Sequence, residues 1–409
     1  MERRHGCSGL LVATAMLAGC GGSGAPLLTP DGAPAIRTAR PANSSPAISN
    51  VIVVVQRWRS FDNLFAGYPG ADAPTSGLTS DGKSVPLQSI SFKNRPECTR
   101  GDDDTYFKTA YDGGKMDGWN LLDANDPRCP YTHVSRPETA PYWKLAHRYA
   151  IADRMFASTH FDQDVQGLYL IAGTTKIARN TYDIAQPNDE PFGCDAPPGT
   201  KTSILKNGRI EVFGGPFPCF TQFPTIANLL DNAGVAWKYY EGTYGDRYSG
   251  NSFDAISYVR NGSDWNDDIA AAKDFFSDVK QKTLRPVSWV ISPLPVSDSP
   301  GGAGGPKWID SIVATVKTSS YWPHAAIVVV WENPGDGNFY DDVTPPQLDP
   351  MGLGFRVPLI LVSPRAKQGY VSHVQYEFGS IIRFIEENWN LGSLDATDAR
   401  ANDITDMFE

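Results

Sequence analysis

Glu332 and Asn333 follow directly on an apolar run, Ala326-Ile327-Val328-Val329-Val330-Trp331, and Asp341-Asp342 stand a short loop further on. Carboxylate and amide oxygens are the donors that Ca²⁺ or Mg²⁺ accept, so these four could hold a divalent cation. A cation so placed lowers the pKa of a nucleophile and offsets charge on a phosphoryl oxygen. Asp162 and Asp164, with Ser158 and Thr159 close by in the chain, add a candidate general base and two hydroxyls. Against a metal centre, the first apolar run, Val51 to Val55, leads into Gln56-Arg57-Trp58, and neither a guanidinium nor an indole can be a ligand. Histidine is scarce, at six residues. His133, His147 and His373 show no H-x-x-x-H or H-x-x-E-H spacing and read as loop or helix-face residues, whereas His160 stands near Asp162 and could line a pocket. The run Asp102-Asp103-Asp104 reads as a solvated loop.

These residues need a scaffold. Val51–Val55 is apolar and β-branched throughout, as in a strand buried on both faces, and Val287–Ile291, Ala326–Trp331 and Val357–Val362 repeat the pattern. Trp308, Ile309, Ile312, Val313 and Val316 fall at helical spacing after Pro306, a residue suited to a first turn. Ile381, Ile382, Phe384, Ile385 and Trp389 make a second helical face, and Thr225 to Gly234 a third helix. The expected fold is therefore α/β, with a central mostly parallel sheet, helices on both faces and an inserted cap region. The cap is assigned to roughly 76–142 and 177–222, both rich in Gly, Pro, Asp and Asn, with Trp119, Tyr142 and Trp143 packed inside it. In such sheets ligands sit beyond the C-terminal strand ends, where Arg57, Trp58, Glu332 and Asn333 fall.

Of the 409 residues, 36 are Lys or Arg and 46 Asp or Glu, a net charge of −10 with no basic run beyond Arg3-Arg4, which argues against a nucleic-acid partner. Residues 1–20 combine a basic start, an apolar stretch from Leu10 to Ala18 and a small-residue terminus, as a secretory signal does. Leu17-Ala18-Gly19-Cys20 resembles the lipobox of bacterial lipoproteins, with Cys20 lipidated; plain secretion is the alternative. Residues 21–50 read as a flexible linker and 51–409 as one α/β domain. The protein is thus expected outside the cytoplasm, held to a membrane by a lipid anchor. Export permits disulfides among Cys98, Cys129, Cys194 and Cys219. Three pairings exist; Cys98–Cys129 with Cys194–Cys219 is favoured, since each then brackets a Pro/Gly-rich stretch.

Gln56-Arg57-Trp58-Arg59-Ser60-Phe61-Asp62, Gly114-Lys115-Met116-Asp117-Gly118, Ala152-Asp153-Arg154-Met155-Phe156, Phe339-Tyr340-Asp341 and Gly369-Tyr370-Val371-Ser372-His373 together resemble the bacterial phosphoesterase family of non-haemolytic phospholipases C and an acid phosphatase, relatives of the alkaline-phosphatase fold. The resemblance covers about 50–409 and implies a metal-dependent hydrolase of phosphate esters with a Ser or Thr nucleophile. It also implies Glu and Asn as metal ligands where Arg57 and Trp58 stand, the nucleophile at Gln163, a His at Gly167, another at Ser299, paired acids at Glu332 and Asn333, and Asp-His at Asp341-Asp342. Gln offers no nucleophilic oxygen. The hydrolytic site therefore reads as degenerate, and the chain as a non-catalytic binding pseudoenzyme that requires no cofactor and whose cleft takes a phosphoester or another small ligand. The alternative is an active, divergent hydrolase keeping Ca²⁺ or Mg²⁺ near Glu332, Asp341 and Asp342. Under the first reading the Arg57 guanidinium takes the place of the cation, paired to Glu332 or Asp342.

Overall fold

The computed structural model describes residues 48–409 apart from 95, 99–102, 186–190, 242–250 and 300–301. The expected signal segment, Cys20 and nearly all of the linker lie outside the described residues. The chain enters with β1 (Asn50–Gln56) and the short helix α1 (Phe61–Phe65). Next come β2 (Ser76–Leu78), β3 (Ser84–Pro86), β4 (Gln88–Ile90), α2 (Asp103–Tyr111), β5 (Thr132–Val134) and α3 (Arg136–Arg148). After β6 (Ala150–Ala152) and α4 (Gln163–Ala172) follow four strands, β7 (Lys176–Ala178), β8 (Thr181–Ala185), β9 (Ser203–Lys206) and β10 (Arg209–Glu211). The next stretch holds α5 (Ile226–Asn232), β11 (Trp237–Glu241), α6 (Ser257–Arg260), α7 (Asp264–Asp267), β12 (Ile269–Ala271), α8 (Asp274–Gln281) and β13 (Val287–Ile291). The chain closes with α9 (Gly305–Lys317), β14 (Ala325–Trp331), β15 (Leu359–Val362), β16 (Tyr370–Ser372), α10 (Phe378–Trp389) and α11 (Thr397–Arg400).

Eight strands form the central sheet in the order β12-β11-β13-β1-β14-β15-β6-β16. Every pairing is parallel except those of β15, which runs antiparallel to β14 and β6. β1 and β14 are buried along their whole length, because both faces carry helices and a β-branched run has no polar side to turn outward. Helices α3, α8 and α9 pack together as one layer and α4, α5 and α10 as another. The apolar stripe Ile309, Ile312, Val313 and Val316 of α9 is buried, as are Ile381, Ile382, Phe384 and Ile385 of α10. Thr225 starts α5 with a capping box, and Gly234 takes the left-handed conformation (φ 65°) just beyond its end.

Four boundaries differ from expectation. The linker does not reach residue 50: Ile48 is buried, its backbone bonded on both sides to the Asn388 side chain, and Asn50 already pairs with Ala325. Asp103 and Asp104 open helix α2 instead of lying in a loop, since carboxylates suit the exposed N–H groups of a first turn. The strand expected from Val357 starts at Leu359, because Pro358 has no N–H to give a ladder. The cap boundary at 142 would cut through α3, whose Tyr142, Trp143, Leu145 and Ala146 form one buried stripe. Trp119 is also buried.

The 177–222 stretch folds largely into a second sheet, in the order β10-β9-β8-β7, and the 76–142 stretch carries the pairs β2–β3 and β4–β5. Each stretch is stapled by its own disulfide, Cys194–Cys219 and Cys98–Cys129, with Cα atoms 4.4 and 5.4 Å apart. Loops of this size lose about 3–4 kcal/mol of denatured-state entropy on closure. Replacing either cystine by two serines is expected to lower the unfolding free energy by about that amount. Because the two lie in separate modules, the double replacement should cost the sum to within about 0.5 kcal/mol in denaturant titrations.

Candidate functional site at the strand ends

Parallel pairing of β1 with β14 sets Gln56 beside Trp331, so the residues after both strands leave the sheet side by side. Backbone bonds from Glu332 N–H to Gln56 O (2.9 Å) and from Arg59 N–H to Asn333 O (3.1 Å) hold the two exits together. In that setting Arg57 Nε lies 3.1 Å from Glu332 Oε1, with the side chains only 2% and 6% exposed. Burial pushes the Glu332 carboxyl above its ordinary range and the Arg57 charge opposes it. Trp58 follows with φ 64°, a left-handed backbone that costs an aromatic residue about 1–3 kcal/mol. Asn333 closes its own loop, donating from Nδ2 to Asp336 Oδ1 (2.8 Å) and accepting from Gly335 N–H (2.6 Å).

Asp342, the other partner considered for Arg57, belongs to a different group. Asp62 on α1 converges with Asp341 and Asp342, each offering a carboxylate oxygen within 4.8 Å of the others. Arg356, wholly buried, sits among them: Nη2 lies 3.1 Å from Asp62, 2.7 Å from Asp341 and 2.7 Å from Asp342. Nε donates to Asp341 Oδ1 (2.8 Å), and Nη1 donates to the carbonyls of Asp72 (2.7 Å) and Asp153 (2.9 Å). Burial raises the pKa of all three carboxyls, Asp342 to about 6, with Arg356 pulling each back. Burial also disfavours the guanidinium charge, but the three carboxylates outweigh it and raise the Arg356 pKa. A divalent cation at these carboxylates would have to displace Arg356, whose Nη2 already lies within 3.1 Å of one oxygen of each.

Asp162 caps the N-terminus of α4, its Oδ1 accepting from Asp164 N–H (2.9 Å), and Gln163 is the first helical residue. The Gln163 side chain lies outside the described residues. Gly167 is one turn further, and a Cβ there would meet Ser252 Oγ at 2.5 Å, so a side chain at that position requires the Ser252 hydroxyl to turn away. Burial lifts Asp162 to about 7 and Asp183, on the adjoining strand β8, to about 8. Asp164 is raised as well, by burial first and then by Asp162 and Glu332, with Arg57 opposing. The helix start and the Arg57–Glu332 pair thus share one electrostatic neighbourhood.

Beyond β13, Asp298 accepts from Tyr142 O–H (2.9 Å) and Trp331 Nε1–H (2.9 Å), while its backbone bonds to Gln56 and Arg59. Burial raises its carboxyl to about 6, with Arg59 opposing. Ser299 is buried next to it, its N–H donating to Ser297 Oγ (3.1 Å) and its hydroxyl without a partner among the described residues. His160 does not face Asp162; it stacks on Phe107 (4.2 Å) and reaches Asp104 (3.1 Å). The strand ends therefore bring Arg57, Glu332 and Asp164 into one neighbourhood, and Asp341 with Asp342 into another centred on Arg356. Arg356, Asp62 and Asp183 carry no such role in the sequence reading. The one available signal is an arginine at the mouth of an apolar strand, in Gly354-Phe355-Arg356-Val357-Pro358.

The profile of the Phosphoesterase family matches residues 48–392. A haemolytic phospholipase C of Pseudomonas aeruginosa is 24% identical over 88% of this chain, which spans 56% of that protein's length. Phospholipase C A of Mycobacterium tuberculosis is 22% identical, with 92% of this chain and 80% of the relative covered. Among solved structures, a protein in the alkaline phosphatase superfamily from Vibrio parahaemolyticus aligns at a TM-score of 0.40 and 12% identity, over 89% of this chain and 71% of that one. With its family profile running from the residue before Ser49 through the end of α10, this chain belongs to the Phosphoesterase family.

Proposed function

We propose that this chain is an exported, lipid-anchored member of the family whose strand-end cleft binds a phosphoester without cleaving it. The buried Arg57–Glu332 pair carries this reading, because a guanidinium holds the carboxylate that a metal would otherwise need. The glutamine at position 163, which offers no nucleophilic oxygen, points the same way. Export and anchoring are supported by the lipobox-like Leu17-Ala18-Gly19-Cys20 and by two disulfides, which fit an oxidising compartment. The competing reading, a hydrolase with a divalent cation, has in its favour the convergence of Asp62, Asp341 and Asp342 and against it the arginine at their centre.

Metal analysis of the purified protein and p-nitrophenol release from mono- and diester substrates separate the two. No stoichiometric divalent metal and no release above background are expected. Near-stoichiometric metal with turnover that Glu332→Ala abolishes would falsify the non-catalytic reading. In the combined variant Arg57→Glu, Trp58→Asn and Gln163→Ser, the scaffold is expected to gain measurable Mg²⁺ or Ca²⁺ affinity by calorimetry.

A second expectation concerns pH. Asp162 and Asp183 have folded pKa values, about 7 and about 8, above the usual carboxylate range. The stability such groups contribute is complete below the unfolded value near 4 and is lost as pH rises through 7 and 8. Asp162→Asn with Asp183→Asn should therefore make the protein relatively more stable at pH 8.5 than at pH 5, compared with the unchanged chain. Had a cation held these carboxylates ionised, their folded values would lie below the unfolded one near 4, and the substitutions would change the melting temperature by the same amount at pH 5 and pH 8.5.

A further inference from the structure

The sheet β10-β9-β8-β7 ends in an edge that is costly in water. Ile210, Val212, Phe213 and Phe217 are exposed in close succession on and just after the edge strand β10, Val212 to 69%. An apolar, uncovered edge strand invites association and is normally blunted or capped. Phe213 adds strain, since φ 50° is the left-handed region that a bulky residue avoids. Lys206 and Arg209 flank the tight turn Asn207-Gly208 and stand directly opposite each other in the ladder, a like-charge pair that destabilises a hairpin. Glu211 offsets this only from 3.6 Å and from an exposed position.

Two of these costs, the uncovered apolar edge and the like-charge pair, are relieved by one environment. An anionic lipid surface accepts apolar and aromatic side chains at the headgroup boundary and neutralises the basic residues beside them. Among the described residues of the four strands and their two tight turns, the exposed charged ones are Lys176, Arg179, Lys206 and Arg209 against Glu211, a basic patch on a chain of net charge −10. Its base is fixed, because Cys194–Cys219 ties the segment after β10 to the segment before β9, so the tip is presented on a stapled support. The sheet also adjoins the strand-end site, where Asp162 N–H donates to the carbonyl of Ile184 on β8 (3.3 Å).

We infer that the β9–β10 hairpin and the segment through Phe217 form a docking element for the surface of an anionic phospholipid bilayer. Docking there sets the α4 end of the cleft beside the headgroups. The inference does not rest on whether the cleft hydrolyses its ligand, nor on the acyl anchor.

The test uses the full-length chain carrying Cys20→Ser, so that no lipid tail contributes, sedimented with phosphatidylcholine vesicles that contain about one third phosphatidylglycerol or none. The protein is expected to sediment with the anionic vesicles and to be released by salt. Val212→Asp should lower the partition about tenfold or more. The pair Lys206→Gln and Arg209→Gln should abolish the preference for anionic vesicles. Phe213→Gly separates docking from folding: removing the left-handed aromatic should raise the melting temperature while weakening partition. Failure of the parent Cys20→Ser chain to sediment with anionic vesicles overturns the proposal, as does sedimentation of Val212→Asp and Phe213→Gly equal to that of the parent. Metal content and p-nitrophenol release are read without vesicles, so failure of the docking element and failure of the cleft reading are separate results.

Discussion

The strand-end region depends on how positive charge is supplied to buried carboxylates. Asp62, Asp341 and Asp342 crowd together, and without a cation mutual repulsion and burial would drive them to protonate. Arg356 supplies that charge from within the chain, and its two hydrogen bonds to the Asp72 and Asp153 carbonyls satisfy donors that the carboxylates leave over. One side chain thereby ties α1, the loop after β14, the segment before β15 and the end of β6 into one network. Charge is balanced within the chain and most of the polar atoms are hydrogen-bonded, Asp62 Oδ1 meeting Arg356 only as an ion pair at 3.1 Å. Removing the arginine would leave three buried carboxylates uncompensated.

Arg57 and Glu332 solve the same problem in a smaller way at the adjoining strand ends. The parallel register of β1 and β14 leaves little freedom: whatever follows Gln56 must face whatever follows Trp331. With Glu332 present and buried, the facing residue must supply positive charge or the carboxyl must be neutral. Trp58 shows that the backbone at this exit is dictated by the fold and not by its own residue, since it holds a left-handed conformation that asparagine tolerates far better than tryptophan. The exit therefore has the shape suited to Asn, the residue that the family resemblance implies there, although the side chain is now an indole.

The central sheet was legible because buried parallel strands are written as unbroken β-branched runs, and β1, β13 and β14 need no partner to be recognised. Helix α9 was legible from its 3.6-residue apolar period and Pro306. The Arg356 network was not, because its members come from five places in the chain and no local pattern announces that an arginine before a strand will turn inward. Arg57 had two acidic candidates for the same reason: deciding between Glu332 and Asp342 requires knowing that Asp342 is already bound elsewhere. Asp103 and Asp104 were misread as loop because an acidic run serves equally well as a solvated turn and as the first turn of a helix.

The interlocking of these pairs limits what any single substitution can reveal. Replacing Arg57 alone by an apolar residue does not recreate a metal site; it leaves Glu332 buried without its counter-charge, a cost of about 3–5 kcal/mol that would appear as instability. Replacing Glu332 alone strands Arg57 in the same way. Replacing both together strands neither charge, so the double substitution should cost less than the sum of the two single ones, and the effects of Arg57 and Glu332 substitutions must be non-additive. Gln163 and Trp58 are not members of that ion pair. If the strand ends bind without a metal, as proposed, metal binding beside Glu332 would require charge reversal at residue 57 and a ligand at residue 58 together. Charge reversal alone would set two carboxylates against each other with nothing between them.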